Sequence, residues 1–342
     1  MPANINTYIG REPAWHGLGT VTGKFNTWSE ILEHGGLDYV VFKSQLHDGL
    51  GRLVDAWGTF RWNRDDFNAN NREAAQFLGA VGKDYKVIQH NKGFEMIDDL
   101  LGQVNGAHYE TAGVLGNGER VWGLADLNTH LSVGDDRSDC YLLFSTGHDG
   151  SMSHTYRLCT TRVVCQNTLT AALSENRSSF KVRHTANANV RIEQAHRLLA
   201  QTRKTITDMG EKLNMLARKR VTREVTESLF NRLFPKQKTD DGRERDTSRR
   251  DNIITNILTL YESNDNNAFP EQRGTAYNLL NAVTNFVDHE RGNKEESRTE
   301  SAIFGSGERI KWSTIQHLLA EAKAMQESYV AVRPIYALPA AI

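Results

Sequence analysis

The sequence predicts an α+β fold, in which an N-terminal domain rich in antiparallel β-hairpins precedes a long basic helix and a helical C-terminal region. Three observations support this prediction. The first half alternates runs rich in Val, Tyr, Phe and Trp with short turns that contain Gly and Asp, as is typical of hairpins. From residue 189 onward, apolar residues recur at helical spacing. Positive charge is concentrated just before and within this helical segment.

The elements of the first half alternate between hairpins and short helices. Helices are predicted where apolar residues recur every three or four positions, and strands where β-branched and aromatic residues cluster between turns. The predicted helices cover residues 27–34, 71–78, 92–104 and 166–174. The predicted strands cover residues 37–47, 53–62, 85–89, 109–115, 120–127, 140–146 and 154–165. All of these strands except 85–89 pair into three consecutive hairpins.

A long helix is predicted to begin near Asn189, because asparagine is favoured as an N-cap. Its apolar positions alternate at spacings of three and four residues, as in a heptad seam. The seam consists of Ile192, Ala195, Leu199, Thr202, Ile206, Met209, Leu213 and Leu216. Because Ala195, Thr202 and Gly210 weaken a free coiled coil, the sequence favours packing within the domain over pairing with a second chain. Further helices are predicted over residues 223–234, 249–262, 271–290 and 314–326.

Chain length indicates two domains, or one large α+β body with appended helices. The 342 residues exceed the size of one typical domain, so we expect a β-rich α+β domain over residues 1–188 and a helical region over residues 189–342. A mobile linker is expected near residues 236–248, because this segment is almost entirely polar.

Composition also excludes several classes of protein. An apolar fraction of 39% is enough for a folded core. A mean hydropathy of −0.55 without a long apolar run argues against a membrane span. The N-terminal residues lack the pattern of a secretory leader, which predicts a cytoplasmic protein. Cys140, Cys159 and Cys165 have no CxxC spacing, so neither a disulfide framework nor a zinc ribbon is expected.

The sequence contains no catalytic signature, because glycine loops for phosphate, nucleophile elbows and zinc-protease motifs are all absent from it. We therefore expect no catalytic residue, no bound metal and no cofactor. A metal-dependent activity stays open as an alternative. Its candidate groups are His16, His289, Asp135, Asp136 and Asp139.

Nucleic acid is the ligand class that the charge distribution favours. The formal net charge is only −1, but residues 177–223 carry 12 basic and 3 acidic side chains. A local excess of this size can neutralise phosphates, although it also fits a solvated helix face. The phosphate-binding candidates are Arg157, Arg162, Arg177, Lys181, Arg183, Arg191, Arg203 and Lys204. The candidates for stacking on bases are Tyr156 and Phe180.

Four stretches of the sequence resemble a family of proteins of unknown function found in phages, prophages and plasmids. They are residues 13–19 (PAWHGLG), 162–169 (RVVCQNTL), 281–292 (NAVTNFVDHERG) and 304–307 (FGSG). The resemblance implies a task in the DNA biology of mobile elements, or in defence and counter-defence, within a bacterial host cell. The order of hairpins, basic segment and helical tail is also similar to that of phage single-strand annealing proteins, although a shared architecture does not fix function.

We therefore expect an oligomeric, non-enzymatic protein that binds or anneals single-stranded DNA in recombination. Its expected partners are single-stranded DNA, further copies of itself in a ring or filament, and a single-strand binding protein. The alternative is a phage assembly or counter-defence protein that acts through protein–protein contacts, with the long helix as its interface.

Overall fold

The fold is α+β, as predicted, with antiparallel sheets in the N-terminal half of the chain and helices in the C-terminal half. The computed structural model describes residues 7–10, 20–21, 27–152, 154–162, 168–172, 188–238, 244–245, 247–263, 269–292 and 294–331. Among the helices of these residues, none is long and apolar enough to cross a membrane.

The described strands form three sheets. The strands are β1 (Thr7–Gly10), β2 (Thr20–Val21), β3 (Tyr39–His47), β4 (Leu53–Asn63), β5 (Gln76–Val81), β6 (His108–Leu115), β7 (Arg120–Val133), β8 (Asp136–Gly147), β9 (Thr155–Arg162), β10 (Thr168–Ala172), β11 (Gln237–Lys238) and β12 (Glu244–Arg245). The largest sheet has the order β10-β9-β8-β7-β6-β1-β2 and is antiparallel except between β1 and β2. Strands β3, β4 and β5 form a second antiparallel sheet, and β11 pairs with β12.

The helices of the described residues lie mainly after β10. They are α1 (Trp28–Gly35), α2 (Arg64–Asn68), α3 (Asn91–Leu101), α4 (Ala188–Ala217), α5 (Arg223–Leu233), α6 (Ser248–Glu262), α7 (Ala276–Asn285), α8 (Glu295–Phe304) and α9 (Ser306–Ala331). Threonine side chains begin three of them, because Thr222, Thr247 and Thr275 each accept a hydrogen bond from a backbone N–H three residues later. Helix α7 continues directly into a π-helix, Phe286–Glu290.

Helix α3 packs on the large sheet through two glycines. Gly93 of α3 faces the ring of Phe144 on β8, and Gly123 of β7 faces the ring of Phe94 on α3. A Cβ atom at either glycine would clash with these rings, so the missing side chains let helix and sheet approach closely. Phe94 and Phe144 are fully buried, and burial of each such side chain stabilises the fold by about 1.5–3 kcal/mol.

The long helix α4 uses its predicted apolar seam to pack within the protein. Ala195, Thr202 and Leu216 are completely buried, and the helix contacts α3, α7, α9 and β7. The hydroxyl of Thr202 donates to the carbonyl oxygen of Leu198 at 2.8 Å, so this buried polar group is satisfied. The packing of the seam within the chain is therefore confirmed.

Three predictions for the first half were wrong. Residues 166–174 are not helical where they are described, because Thr168–Ala172 is strand β10, paired with β9. The β-branched Thr168 and Thr170 favour a strand, and a short apolar run does not distinguish the two structures. Residues 71–78 contain one 3-10 turn, Arg72–Ala74, before β5 begins at Gln76. Residues 85–89 have no regular structure.

The C-terminal helices differ in detail from the prediction. The single helix predicted over residues 271–290 is a 3-10 turn, helix α7 and a π-helix. It is interrupted at Gly274, whose φ of 73° lies in the left-handed region. Helix α8 was not predicted, and α9 begins eight residues earlier than predicted, at Ser306.

The polar segment 236–248 contains the short pair of strands β11 and β12. Gln237 lies opposite Arg245 and Lys238 opposite Glu244. The mobility of this segment stays a prediction.

The three-stranded sheet joins the large sheet around two buried histidines. The carbonyl oxygen of His148, which follows β8, accepts a hydrogen bond from Thr59 Oγ1 on β4 at 2.6 Å. His90 Nε2 donates to the carbonyl oxygen of Leu37 at 2.7 Å, and His90 Nδ1 lies 3.3 Å from His148 Nε2. Burial lowers the pKa of His90 to about 4, and burial also lowers the pKa of His148 well below its usual value. Both histidines are therefore neutral at pH 7.

Between about pH 7.5 and about pH 5 we expect the two buried histidines to lower the stability of the protein, while Asp98, whose pKa burial raises to about 6, opposes this loss. In the unfolded chain His90 has its ordinary pKa near 6.5, so it binds a proton in this window that the folded protein does not bind. The lowered pKa of His90 corresponds to a loss of about 2 kcal/mol over this range, and that of His148 adds to it in the same direction. Thermal unfolding at both pH values measures the loss.

The matched variants are His90→Gln and His130→Gln, since His130 is an exposed histidine on β7. His90→Gln should reduce the difference in stability between the two pH values, and His130→Gln should leave it unchanged. Equal pH dependence in native protein and His90→Gln would contradict the assignment.

Candidate nucleic-acid interface

Two of the three candidates on strand β9, Tyr156 and Arg157, are engaged inside the protein. Tyr156 is 1% exposed, and its hydroxyl donates to the carbonyl oxygen of Gly93 at 3.1 Å. The prediction that Tyr156 stacks on bases was therefore wrong, because its ring belongs to the core beneath α3. Arg157 Nη1 lies 2.7 Å from Glu308 Oε1, and both side chains are about one-quarter exposed. Arg157 is thus neutralised by α9 and is not an available cation.

The remaining predicted residues are placed only in part. Arg203 and Lys204 are exposed neighbours on helix α4, so both are accessible to a ligand. Arg162 ends strand β9, and Arg191 lies near the start of α4. Arg177, Phe180, Lys181 and Arg183 lie outside the described residues.

A different group of arginines lies close enough together to interact electrostatically. We call Arg249, Arg291 and Arg309 the arginine cluster. Arg249 lies in the first turn of α6, Arg291 follows the π-helix, and Arg309 lies in the first turn of α9. Arg291 is half-buried, and its guanidinium donates to Ser301 Oγ at 2.8 Å and to Ser306 Oγ at 3.0 Å. Two serine hydroxyls therefore fix the orientation of the central cation.

The positive charge of the arginine cluster is not balanced within the described chain. Burial lowers the pKa of Arg291, and the guanidinium groups of Arg249 and Arg309 lower it further. None of the described carboxylates lies within ion-pair distance of these three arginines. The positive end of the α9 dipole adds to the same field, since the cluster adjoins the first turn of this long helix. An anion is the ligand that this arrangement favours.

A buried ion pair joins the two segments that carry Arg291 and Arg309. Lys311 Nζ lies 2.7 Å from Asp288 Oδ1, and the two side chains are 2% and 1% exposed. Asp288 belongs to the π-helix that precedes Arg291, and Lys311 lies on α9 two residues after Arg309. Because a π-helix is rare and often marks a functional site, this distortion next to Arg291 agrees with the position of the cluster. The ion pair fixes the spacing between the segments that carry Arg291 and Arg309.

Aromatic side chains cover the face of the three-stranded sheet that is turned away from the large sheet. We define the aromatic face as Phe42, Phe60, Trp62, Phe67 and Phe77. Adjacent rings have centroid distances of 4.6–5.6 Å. Thr59 points the other way, towards His148, as alternation along β4 requires. Phe67 and Phe77 are 43% and 50% exposed, so the aromatic face is accessible.

Within the part of the chain that the structure describes, the groups proposed for a metal-dependent activity are not brought to one site. Asp136 is buried and accepts a hydrogen bond from the hydroxyl of Tyr277 at 3.1 Å. Asp139 pairs with Arg137 at 2.9 Å, on the surface. His289 follows Asp288, whose carboxylate is bound by Lys311. His16 lies outside the described residues.

Sequence reasoning missed the arginine cluster, because its members are up to sixty residues apart and belong to a region of net negative charge. Two of the stretches that carry the family resemblance contain residues of this site. Residues 281–292 include Arg291, and residues 304–307 include Ser306, which accepts a hydrogen bond from it. The structure brings these two stretches together.

Comparison with known proteins identifies one family. The chain matches the family described as Domain of unknown function (DUF932) over residues 77–304, about two thirds of its length. This range includes Arg249 and Arg291, and Arg309 follows it by five residues. No curated protein and no solved structure matches the chain.

We expect Asp288→Asn to lower the free energy of unfolding by about 3–5 kcal/mol, because it removes the carboxylate charge that the buried Lys311 ammonium pairs with. Urea unfolding measures the loss. The double variant Asp288→Leu/Lys311→Met should recover most of it, since two apolar side chains need no charge compensation. A double variant as unstable as the single one would show that the ion pair is not what holds the two segments.

Proposed function

We propose that this chain, which belongs to the DUF932 family of domains of unknown function, binds the phosphate backbone of single-stranded DNA through the arginine cluster. The observation that carries the proposal is the half-buried, hydroxyl-oriented Arg291 flanked by Arg249 and Arg309 without a described counter-ion. Guanidinium groups bind phosphate by paired, charge-assisted hydrogen bonds. Serine hydroxyls and a helix N-terminus are further groups that proteins direct at phosphate.

Two further features support a single-stranded ligand. Unpaired bases stack on accessible aromatic rings, which the aromatic face offers, whereas the bases of a duplex are already stacked on one another. Arg203 and Lys204 on α4 add exposed cations that can follow a flexible backbone. Binding of this kind depends little on base sequence, as expected for annealing or strand protection.

The resemblance of four sequence stretches to phage and plasmid proteins supports a role in recombination of a mobile element. In this proposal the protein works as a homo-oligomer in the cytoplasm of a bacterial host cell, together with a single-strand binding protein. It needs no catalytic residue, because annealing only requires that two strands be held and brought together.

We expect Arg249→Glu/Arg309→Glu to weaken binding of a labelled single-stranded oligonucleotide by at least about tenfold at low salt. Each lost phosphate contact also removes about 0.7 from the slope of log affinity against log salt, so the slope should become shallower by about 1.4. Fluorescence anisotropy over a salt series measures both quantities. A parallel series on duplex DNA of the same sequence tests the preference for single strands.

The matched control is Arg223→Glu, because Arg223 is exposed on α5 and already paired with Glu227. It should change affinity and slope little. Arg203→Glu/Lys204→Glu tests the α4 cations separately. Native affinity and slope in a folded Arg249→Glu/Arg309→Glu variant would refute the role of the cluster.

Assembly through protein–protein contacts is the second candidate function, and the aromatic face favours it. A contiguous, exposed apolar surface on a folded protein commonly marks a contact site for another protein. In this alternative the face binds a further copy of the chain or a partner in phage assembly or counter-defence.

Phe77→Ser separates the two functions, because Phe77 is the most exposed member of the aromatic face. If the face stacks on bases, the variant should bind single-stranded DNA several-fold more weakly and keep its native mass in mass photometry. If the face is a protein interface, the variant should form smaller assemblies and keep its DNA affinity. Leu50→Ser, at an exposed apolar residue of the β3–β4 turn, is the control and should change neither.

A further inference from the structure

A histidine and two carboxylates converge on strands β6 and β7, far along the chain from the arginine cluster. His108 of β6 lies opposite Asp126 of β7, and Glu110 lies at an irregularity of β6 two residues later. One ligand atom of each of the three side chains lies within 4.8 Å of the other two. His108 is buried, and the two carboxylates are partly buried.

The hydrogen bonds of His108 leave a lone pair directed into this cluster. His108 Nδ1 lies 3.2 Å from the carbonyl oxygen of Gly106, which only accepts, so Nδ1 carries a proton and donates. In the neutral ring Nε2 is therefore unprotonated. Nε2 is buried and makes no hydrogen bond, and the nearest carboxylate oxygen, Glu110 Oε2, lies 3.3 Å away. With the ring neutral, this lone pair and the two carboxylates repel one another, and a cation between them, either a proton on Nε2 or a metal ion, removes the repulsion.

Asn128 holds both sides of the cluster in place. Its backbone N–H donates to Asp126 Oδ1 at 2.7 Å, and its side-chain Nδ2 donates to the carbonyl oxygen of Asn105 at 3.0 Å. Asn128 has a φ of 47°, which is rare for a residue other than glycine and lies within the β-bulge after Asp126. The same residue therefore orients one carboxylate and the loop whose Gly106 carbonyl orients the histidine.

We propose that His108, Glu110 and Asp126 bind a divalent transition-metal ion of the Zn²⁺ type. One imidazole nitrogen and two carboxylate oxygens are ligands that Zn²⁺ accepts, whereas Mg²⁺ and Ca²⁺ prefer all-oxygen sites. The hydrogen bond from His108 Nδ1 to a backbone carbonyl is the support that metal-binding histidines ordinarily have. Three protein ligands leave at least one coordination position for water or a substrate oxygen, as in catalytic zinc sites.

This site is independent of the proposed DNA binding, because none of its residues belongs to the arginine cluster or the aromatic face. The sequence left a metal-dependent activity open as an alternative. This metal site would serve that activity with residues other than the candidates named from the sequence. Failure of the DNA-binding experiments would leave it unchanged.

Isothermal titration of ZnCl₂ into the full-length, tag-free, chelator-treated chain tests the proposal. We expect saturable binding that includes one site per chain formed by these three residues. This site should be lost in His108→Ala and bind Zn²⁺ at least about tenfold more weakly in Asp126→Asn. Asp126→Asn keeps an oxygen acceptor for the Asn128 N–H, so the loop stays in place. His130→Ala, at an exposed histidine on the same strand, is the control and should retain this site.

Substitution by Co²⁺ provides a second readout, since its visible absorption reports the ligands and geometry around the ion. The band should appear in native protein and His130→Ala and be absent in His108→Ala. Circular dichroism checks that each variant is folded, and Glu110→Gln replaces any variant that is not. Zn²⁺ binding retained by all ligand variants, no saturable binding by the native chain, or equal competition by MgCl₂ would each overturn the proposal.

Discussion

The buried ion pair between Lys311 and Asp288 is the interaction on which the helical half of the protein depends most. Two charges taken out of water are costly, so they persist only if each remains beside the other. The pair thereby fixes helix α9 against the π-helix that follows α7. Arg291 and Arg309 lie on these two segments, so a structural constraint in the core sets the geometry of a charged surface.

Charge also joins the two halves of the chain. Arg120 of β7 pairs with Glu300 of α8 at 2.6 Å, and Arg157 of β9 pairs with Glu308 of α9 at 2.7 Å. Both pairs are partly buried, so they are screened less by salt than surface pairs are. The packing of α4 on α3 and β7 adds an apolar contact between the same halves. The sheet therefore positions the helices that carry the arginine cluster, although the cluster itself contains no residue of the sheet.

The elements that the sequence predicted best depend on local information. Hairpin strands with turns between them, and the seam of α4, follow from the spacing of neighbouring residues. Residues 166–174 were misassigned because strand β10 is specified by its pairing with β9, which a short apolar run does not encode. Alternation along β4 places Phe60 and Trp62 on one face and Trp57 on the other, so both faces of the strand are aromatic. Only the docking of Thr59 on His148 determines which face is exposed.

Charge counted along a sequence is a poor guide to charge available in a structure. The segment with the largest excess of basic residues contains arginines that are already paired one helical turn away, such as Arg197 with Glu193 and Arg223 with Glu227. Residues 224–342 carry 15 basic and 18 acidic side chains, yet this net acidic region contains the arginine cluster. A nearby carboxylate neutralises a cation, and tertiary packing can bring the remaining unpaired cations together. The relevant quantity for an anion ligand is thus the number of cations without a neighbouring carboxylate, which becomes visible only once the chain is folded.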